Sequence, residues 1–138
     1  MDPIDISSLP AGYSIPSLTL SPSRIQLFMY SAITWNRHHV HYSKDAANAE
    51  GLPDVVVHRG LLGNFLSRMI SDWLQNRGEI RTINWKVISS ATPDQELICT
   101  GMITEVNQRN SRSIYSLDVF VNNGKNIVAL GEAVVEIE

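Results

Sequence analysis
A chain of 138 residues, 43% of them hydrophobic, suffices for one compact domain with a real core. Its net charge of -3, with no basic block or acidic tail, argues against a nucleic-acid or membrane-surface partner. A single cysteine, Cys99, excludes an intrachain disulfide framework and an all-cysteine metal cluster within one chain. No apolar run reaches the ~18 residues of a membrane span. The opening "MDPIDISSLPAGYSIPS" lacks the basic start and apolar stretch of a signal peptide. The expectation is a cytoplasmic protein without membrane insertion.

Residues 1–14, rich in Pro, Ser and Gly, read as an irregular lead-in to a single domain over 15–138. "SLTL" predicts a first short strand. "SPSRIQLFMYSAI" then carries a helix start, with Ser21 as N-cap and Pro22 at the first helical position. Ile25, Phe28, Met29 and Ala32 follow at helical spacing and form one apolar face. "TWNRHHVHY", residues 34–42, fits no periodicity and reads as a loop holding His38, His39 and His41. "SKDAANAEGLP" predicts a short helix capped by Ser43 and stopped by Gly51 and Pro53. "DVVVHRG" leads into the longest helix, "RGLLGNFLSRMISDWLQNR". Its Leu61, Leu62, Phe65, Leu66, Met69, Ile70, Trp73 and Leu74 cover more than one stripe, so other structure should surround it on most sides.

After Gly78 the pattern changes. "EIRTINWKVISS", "ELICTGMITEVNQ", "SIYSLDVFVN" and "NIVALGEAVVEIE" are rich in β-branched and aromatic residues, and "ATPDQ", "RNSR" and "NNGK" between them are turn chemistry. Tyr115, Leu117, Val119 and Val121 alternate strictly, as a buried sheet face should. Cys99, Trp73 and Trp85 are expected in the core. Helices followed by four strands in hairpin-like succession predict an α+β domain, an antiparallel sheet packed on a central helix.

Three histidines within "HHVH" raise the question of a metal site. Zinc ligands usually sit on a helix face or at hairpin ends with a further Asp, Glu or Cys, and a structureless H-H-x-H lacks that scaffold. No metal is expected.

This order of elements, with "WNRHHVHY" and "VVHRGLL", resembles the hotdog fold, and within it the MaoC-like family of acyl-thioester dehydratases and R-specific enoyl-CoA hydratases. The family pattern is "D-x-N-P-[IL]-H-x-D" in a loop, followed by "H-G-x-L" at the start of the central helix. A subset carries "F-N-x-H-x-[IV]-H-Y", which matches here at Asn36, His38, Val40, His41 and Tyr42. The resemblance covers residues 15–138. Three positions depart from the common pattern: Asn36 stands for the Asp, Ser43 for the second Asp, and Arg59 for the Gly after the second His.

The resemblance implies reversible water addition to a 2-enoyl thioester, giving a 3-hydroxyacyl thioester. His41 is then the base and acid, suited by an ordinary pKa near 6.5. Asn36 positions the water but cannot be a general base. The N–H of Arg59 or Gly60, at the positive end of the helix, is the oxyanion donor, although the Arg59 side chain stands where the thioester carbonyl should approach. His38, Trp35, His58 and Asn64 are candidate substrate-binding residues, with His58 expected to pack or cap ahead of the helix and Ser67 competing with Asn64. No cofactor is implied beyond the thiol carrier of the substrate, either coenzyme A or acyl carrier protein. The implied assembly is a homodimer or a heteromer of hotdog subunits. Two alternatives stand beside this reading. One is a non-catalytic acyl-binding subunit of a heteromeric hydratase, kept open by Asn36 and Arg59. The other is a hotdog thioesterase, disfavoured because the central helix offers only Asp72 as a carboxylate.

Overall fold
The longest helix, α3 (Arg59–Leu74), organises the structure, a computed structural model that describes residues 5–138. Residues 1–4 of the expected lead-in lie outside the described residues. Leu61, Leu62, Phe65, Leu66, Met69, Ile70, Trp73 and Leu74 are all buried, as the apolar pattern requires. Only one stripe of α3, through Asn64, Arg68, Ser71 and Asp72, reaches the surface beyond its first turn.

Five strands wrap the rest: β1 (Ser14–Leu20), β2 (Gly78–Val87), β3 (Leu97–Arg109), β4 (Arg112–Asn122) and β5 (Ile127–Ile137). They form one antiparallel sheet in the order β1-β3-β4-β5-β2. This is the expected α+β hotdog arrangement. Tyr115, Leu117, Val119 and Val121 all face the core, and Cys99 lies beside them, fully buried. Asn110 and Ser111, both at positive φ, make the tight β3–β4 turn predicted at "RNSR".

Several sequence expectations change. The strands after Gly78 are not all hairpin neighbours: β2 pairs only with β5, so the stretch around "ATPDQ" carries the chain across the sheet to β3 rather than folding it back. The first helix, α1 (Arg24–Thr34), begins later than expected. Ser23, not Ser21, is its N-cap, accepting a hydrogen bond from the Gln26 N–H, while Pro22 lies before the helix. Its apolar face also points outward. Ile25, Phe28 and Met29 are 71%, 59% and 53% exposed, and Leu27 and Ser31 are the buried residues instead. Periodicity identified the helix but could not say which way it faced.

The lead-in is less irregular than its composition suggests. A 3-10 turn over Ile6–Ser8 is clamped to β4, where the Tyr115 hydroxyl donates to the Ile6 carbonyl (2.8 Å) and accepts from the Leu9 N–H (3.0 Å). The short helix α2 (Lys44–Ala49) is capped by Ser43 as expected, its hydroxyl accepting from the Ala46 N–H at 3.2 Å.

Trp85, expected in the core, sits half-buried on the β2 edge. Its indole occupies the space above Gly63, where any side chain on α3 would overlap it. The Trp85 Nε1–H donates to the Arg59 carbonyl (2.9 Å), and the Arg59 guanidinium lies 4.6 Å from the ring and donates to the Trp85 carbonyl (3.0 Å). This exchange locks the first turn of α3 to the sheet edge. Gly63→Ala should therefore cost about 1–3 kcal/mol by forcing the indole out of place. Urea unfolding reads this directly, and an unchanged midpoint would show that the indole moves freely.

Candidate active site
The site forms where α1, the histidine loop and the start of α3 meet. Trp35 closes α1 in the left-handed conformation (φ 58°), and the Trp35 and Asn36 N–H groups both donate to the Ser31 carbonyl. The chain thus turns sharply into the loop. His39–His41 form a single 3-10 turn, the one ordered element in what the sequence presents as a structureless stretch. Val40 is buried and anchors this turn, its carbonyl accepting the Val56 N–H at 3.0 Å. The next residue meets the other backbone group of Val56: His41 Nδ1 lies 2.8 Å from the Val56 carbonyl oxygen. A carbonyl only accepts, so Nδ1 carries the proton and Nε2 is the free basic nitrogen.

His58 lies at the N-cap position of α3, and its side chain makes no capping hydrogen bond. It packs rather than caps. Its ring stacks on His41, with centroids 3.8 Å apart and planes 18° from parallel, and lies 4.6 Å from the Tyr30 ring. Its Nε2 is 2.7 Å from the Ser31 hydroxyl, and its Nδ1 is buried without a partner among the described residues. Because the cap side chain is used elsewhere, the first N–H groups of α3 keep their donors. Leu62 N–H reaches the His58 carbonyl (3.0 Å), but no acceptor serves the N–H of Arg59 or Gly60 among the described residues. The Arg59 side chain does not block them, because it is held on β2 by Trp85. At Gly60 an added Cβ would meet the Tyr30 hydroxyl, so a larger residue there would have to displace that side chain.

The remaining candidates divide. Asn36 Oδ1 accepts from the His38 N–H at 3.3 Å, and no hydrogen bond joins Asn36 to His41 among the described residues. The two residues instead line adjacent clefts. One, of about 240 Å³, is bounded by Arg24, Ile25, Phe28, His41, Tyr42 and Val55. The other, of about 220 Å³, is bounded by Phe28, Ser31, Ala32, Trp35, Asn36, Arg37 and Tyr42. An edge-on contact between Phe28 and Tyr42, with centroids 6.2 Å apart, separates them. Trp35 is 74% exposed on the rim of the second cleft. His38 is exposed and 3.2 Å from Glu50, and His39 is exposed beside Tyr42. Asn64 and Ser67 lie further along α3; Asn64 is exposed and Ser67 half-buried. Tyr30 and Ser31 were not singled out in the sequence, where they are two ordinary residues of an amphipathic helix. Among the described residues no three His, Cys, Asp or Glu side chains gather as a metal-ligand set.

Burial sets the electrostatics. Desolvation lowers the His41 pKa from its ordinary value, opposed by the Val56 carbonyl and assisted by nearby His38. His58 is pushed further, to about 4, chiefly by desolvation and then by His41. Both imidazoles are therefore neutral at pH 7, and His41 is ready to accept a proton.

A sequence model of the family described as "hydroxyacyl-thioester dehydratase type 2" matches residues 8–93. The chain belongs to this family. No curated protein sequence matches it. Solved structures with the same fold include a chain of the ChsH1–ChsH2 complex from Mycobacterium tuberculosis, with 18% identity, TM-score 0.85, and 95% of this chain and 100% of that one covered. Another is the (R)-hydratase from A. caviae involved in PHA biosynthesis, with 18% identity, TM-score 0.83, and 95% and 98% covered. A third is the MaoC-like dehydratase from Rhodospirillum rubrum, with 12% identity, TM-score 0.84, and 98% and 97% covered. The family assignment agrees with the MaoC-like resemblance of the loop and helix motifs. No helix among the described residues is long and apolar enough to cross a membrane.

Two lowered histidines in this dehydratase-family site make stability depend on acid. The unfolded chain binds protons near pH 6.5, whereas folded His58 resists until about pH 4. Stability is thus full above pH 6.5 and falls as pH drops through that window, by at most about 1.4 kcal/mol per pH unit per histidine. Asp54 and Glu136, held below the ordinary carboxylate range chiefly by hydrogen bonds from Arg24 and Arg81, lose their contributions only at lower pH. The urea midpoint should fall between pH 7 and 5 in the native chain and fall less in His58→Phe. A midpoint independent of pH over that range would contradict a buried neutral His58.

Proposed function
We propose that the chain is an acyl-thioester hydratase/dehydratase that interconverts a 2-enoyl and a 3-hydroxyacyl thioester at His41. One observation carries the reading: a neutral imidazole with a fixed tautomer borders an open cleft and stacks on the residue that begins an uncapped helix N-terminus. In the hydration direction, His41 Nε2 takes a proton from water as the oxygen attacks C3. The electron pair moves to the thioester oxygen, which the Arg59 or Gly60 N–H and the helix dipole stabilise, a placement worth roughly 3 kcal/mol of barrier. C2 is then protonated, with His41 as the acid that returns the proton. Dehydration uses the same steps in reverse. Asn36 borders the neighbouring cleft and orients polar groups of the substrate or water without taking charge. His38, Trp35 and Asn64 are exposed positions available to the thiol carrier, which is coenzyme A or acyl carrier protein.

The same surfaces support assembly with a second hotdog subunit, either a copy of this chain or a different one. The sheet ends in open edges at β1 and β2, and Ile25, Phe28, Met29, Ile33 and Trp35 are exposed. A non-catalytic subunit role is favoured by one specific observation: among the described residues no carboxylate bonds to His41. A thioesterase is disfavoured because Asp72 is exposed, close to Arg68 (3.7 Å) and near the far end of α3.

The test is the conjugated absorbance of an enoyl-CoA, followed with a free-thiol assay. Loss of conjugation without thiol release supports hydration, and thiol release alone would overturn it. Activity that appears only with a partner protein supports the subunit role. His41→Ala should remove turnover, and kcat/KM should fall as pH drops through a value below 6.5. Retained activity in His41→Ala would refute its assignment as the base.

A further inference from the structure
We propose that His58 is a positioning residue for His41, a buried ring pinned by Ser31 that holds the catalytic imidazole in one orientation without exchanging a proton in the reaction. Its catalytic meaning rests on the hydratase reading above.

The need for a positioning group lies in what His41 lacks. No carboxylate bonds to it among the described residues, and Asn36, the residue in the partner position, is engaged with the His38 N–H. A single hydrogen bond, from Nδ1–H to the Val56 carbonyl, holds one edge of the ring. One bond leaves the ring free to tilt about its own axis. The near-parallel stack on His58 removes that freedom.

His58 is itself enclosed and hydrogen-bonded. It is 1% exposed and carries a bond to Ser31, which is 6% exposed on the buried side of α1. Its tautomer follows from the same contacts. If Nδ1 carried the proton, a buried N–H would have no acceptor, the costlier of the two unsatisfied arrangements. The proton therefore lies on Nε2 and is donated to the Ser31 oxygen, leaving Nδ1 as a bare lone pair. His58 itself lines neither cleft, and its one hydrogen-bonded link toward them runs through the Ser31 hydroxyl to the Asn36 cleft, not to the cleft that His41 lines. Its neutrality also suits the reaction. When His41 becomes an imidazolium, the ring beneath it carries no charge to oppose it.

The groups around His41 do not supply this role. His38, whose ring lies edge-on at 5.8 Å, is engaged with Glu50. Tyr42 and Arg24 line the same cleft, and Arg24 is ion-paired to Asp54. Tyr30 packs against His58 rather than His41.

The experiment combines imidazole nitrogen NMR with kinetics, on the native chain, His58→Phe and His58→Ala. In the native chain, His58 should show one tautomer, protonated on Nε2, and stay neutral through pH 5. Finding the Nδ1–H form or an ordinary titration overturns the proposal with no variant needed. His58→Phe, which keeps a buried ring, should preserve the His41 tautomer and its lowered titration. His58→Ala should let His41 exchange tautomers and titrate closer to 6.5 as water enters. If both variants leave His41 unchanged, the positioning role is refuted. Kinetically, kcat should drop by up to roughly 100-fold in His58→Ala with little change in KM, and His58→Phe should retain most of it. An equal collapse of both folded variants would make His58 a proton carrier and overturn the proposal. A native chain without turnover would instead sink the hydratase reading, leaving the NMR result to decide the positioning role.

Discussion

The hydrogen bond from His41 Nδ1 to the Val56 carbonyl is the contact on which the proposed chemistry depends. It fixes which nitrogen is basic, and it exists only because two segments run side by side. Val40 is buried and accepts the Val56 N–H, while the Val57 N–H reaches the Ala91 carbonyl beyond it. The loop is therefore stitched to the approach to α3, and that approach is stitched to the crossover between β2 and β3. The helix is in turn held by the sheet that encloses it. The position of one imidazole is thus a property of the whole fold, and so is its lowered pKa, since the same packing takes part of the ring out of water.

A second consequence concerns the helix terminus. Most helices satisfy their first N–H groups with a Ser, Thr, Asp or Asn at the cap. Here α1 and α2 do so, through Ser23 and Ser43, and α3 does not. His58 occupies the cap position and turns its side chain toward Ser31 and His41. The helix whose ends matter for the proposed chemistry is the one left uncapped, so its donors remain available to a developing negative charge.

The sequence made the central helix, the trailing strands and the loop motif legible because each depends on local pattern. Eight large apolar residues of α3 fall inside, and the alternating residues of β4 face the core. What the sequence hid depends on direction and on contacts between distant segments. Ile25, Phe28 and Met29 form a helical stripe, but periodicity is the same for a stripe that faces out as for one that faces in. The crossover after β2 looks like a turn in composition, because Thr, Pro and Asp serve both. Ser31 and Tyr30 carried no signal, since their importance comes from meeting His58, twenty-seven and twenty-eight positions away. Asn36 was recognised by motif, yet its distance from any bond with His41 is a tertiary fact. That separation shifts weight from the expected partner to the His58 stack.

In the proposed reaction the thioester lies with its carbonyl at the start of α3 and its reacting carbon at His41. The most direct test is a crystal structure with an unreactive acyl-CoA analogue. The predicted result has the thioester oxygen within hydrogen-bond distance of the Arg59 or Gly60 N–H and C3 facing His41 Nε2. An analogue bound with its thioester away from His41, or with its carbonyl turned from the α3 terminus, would contradict the account.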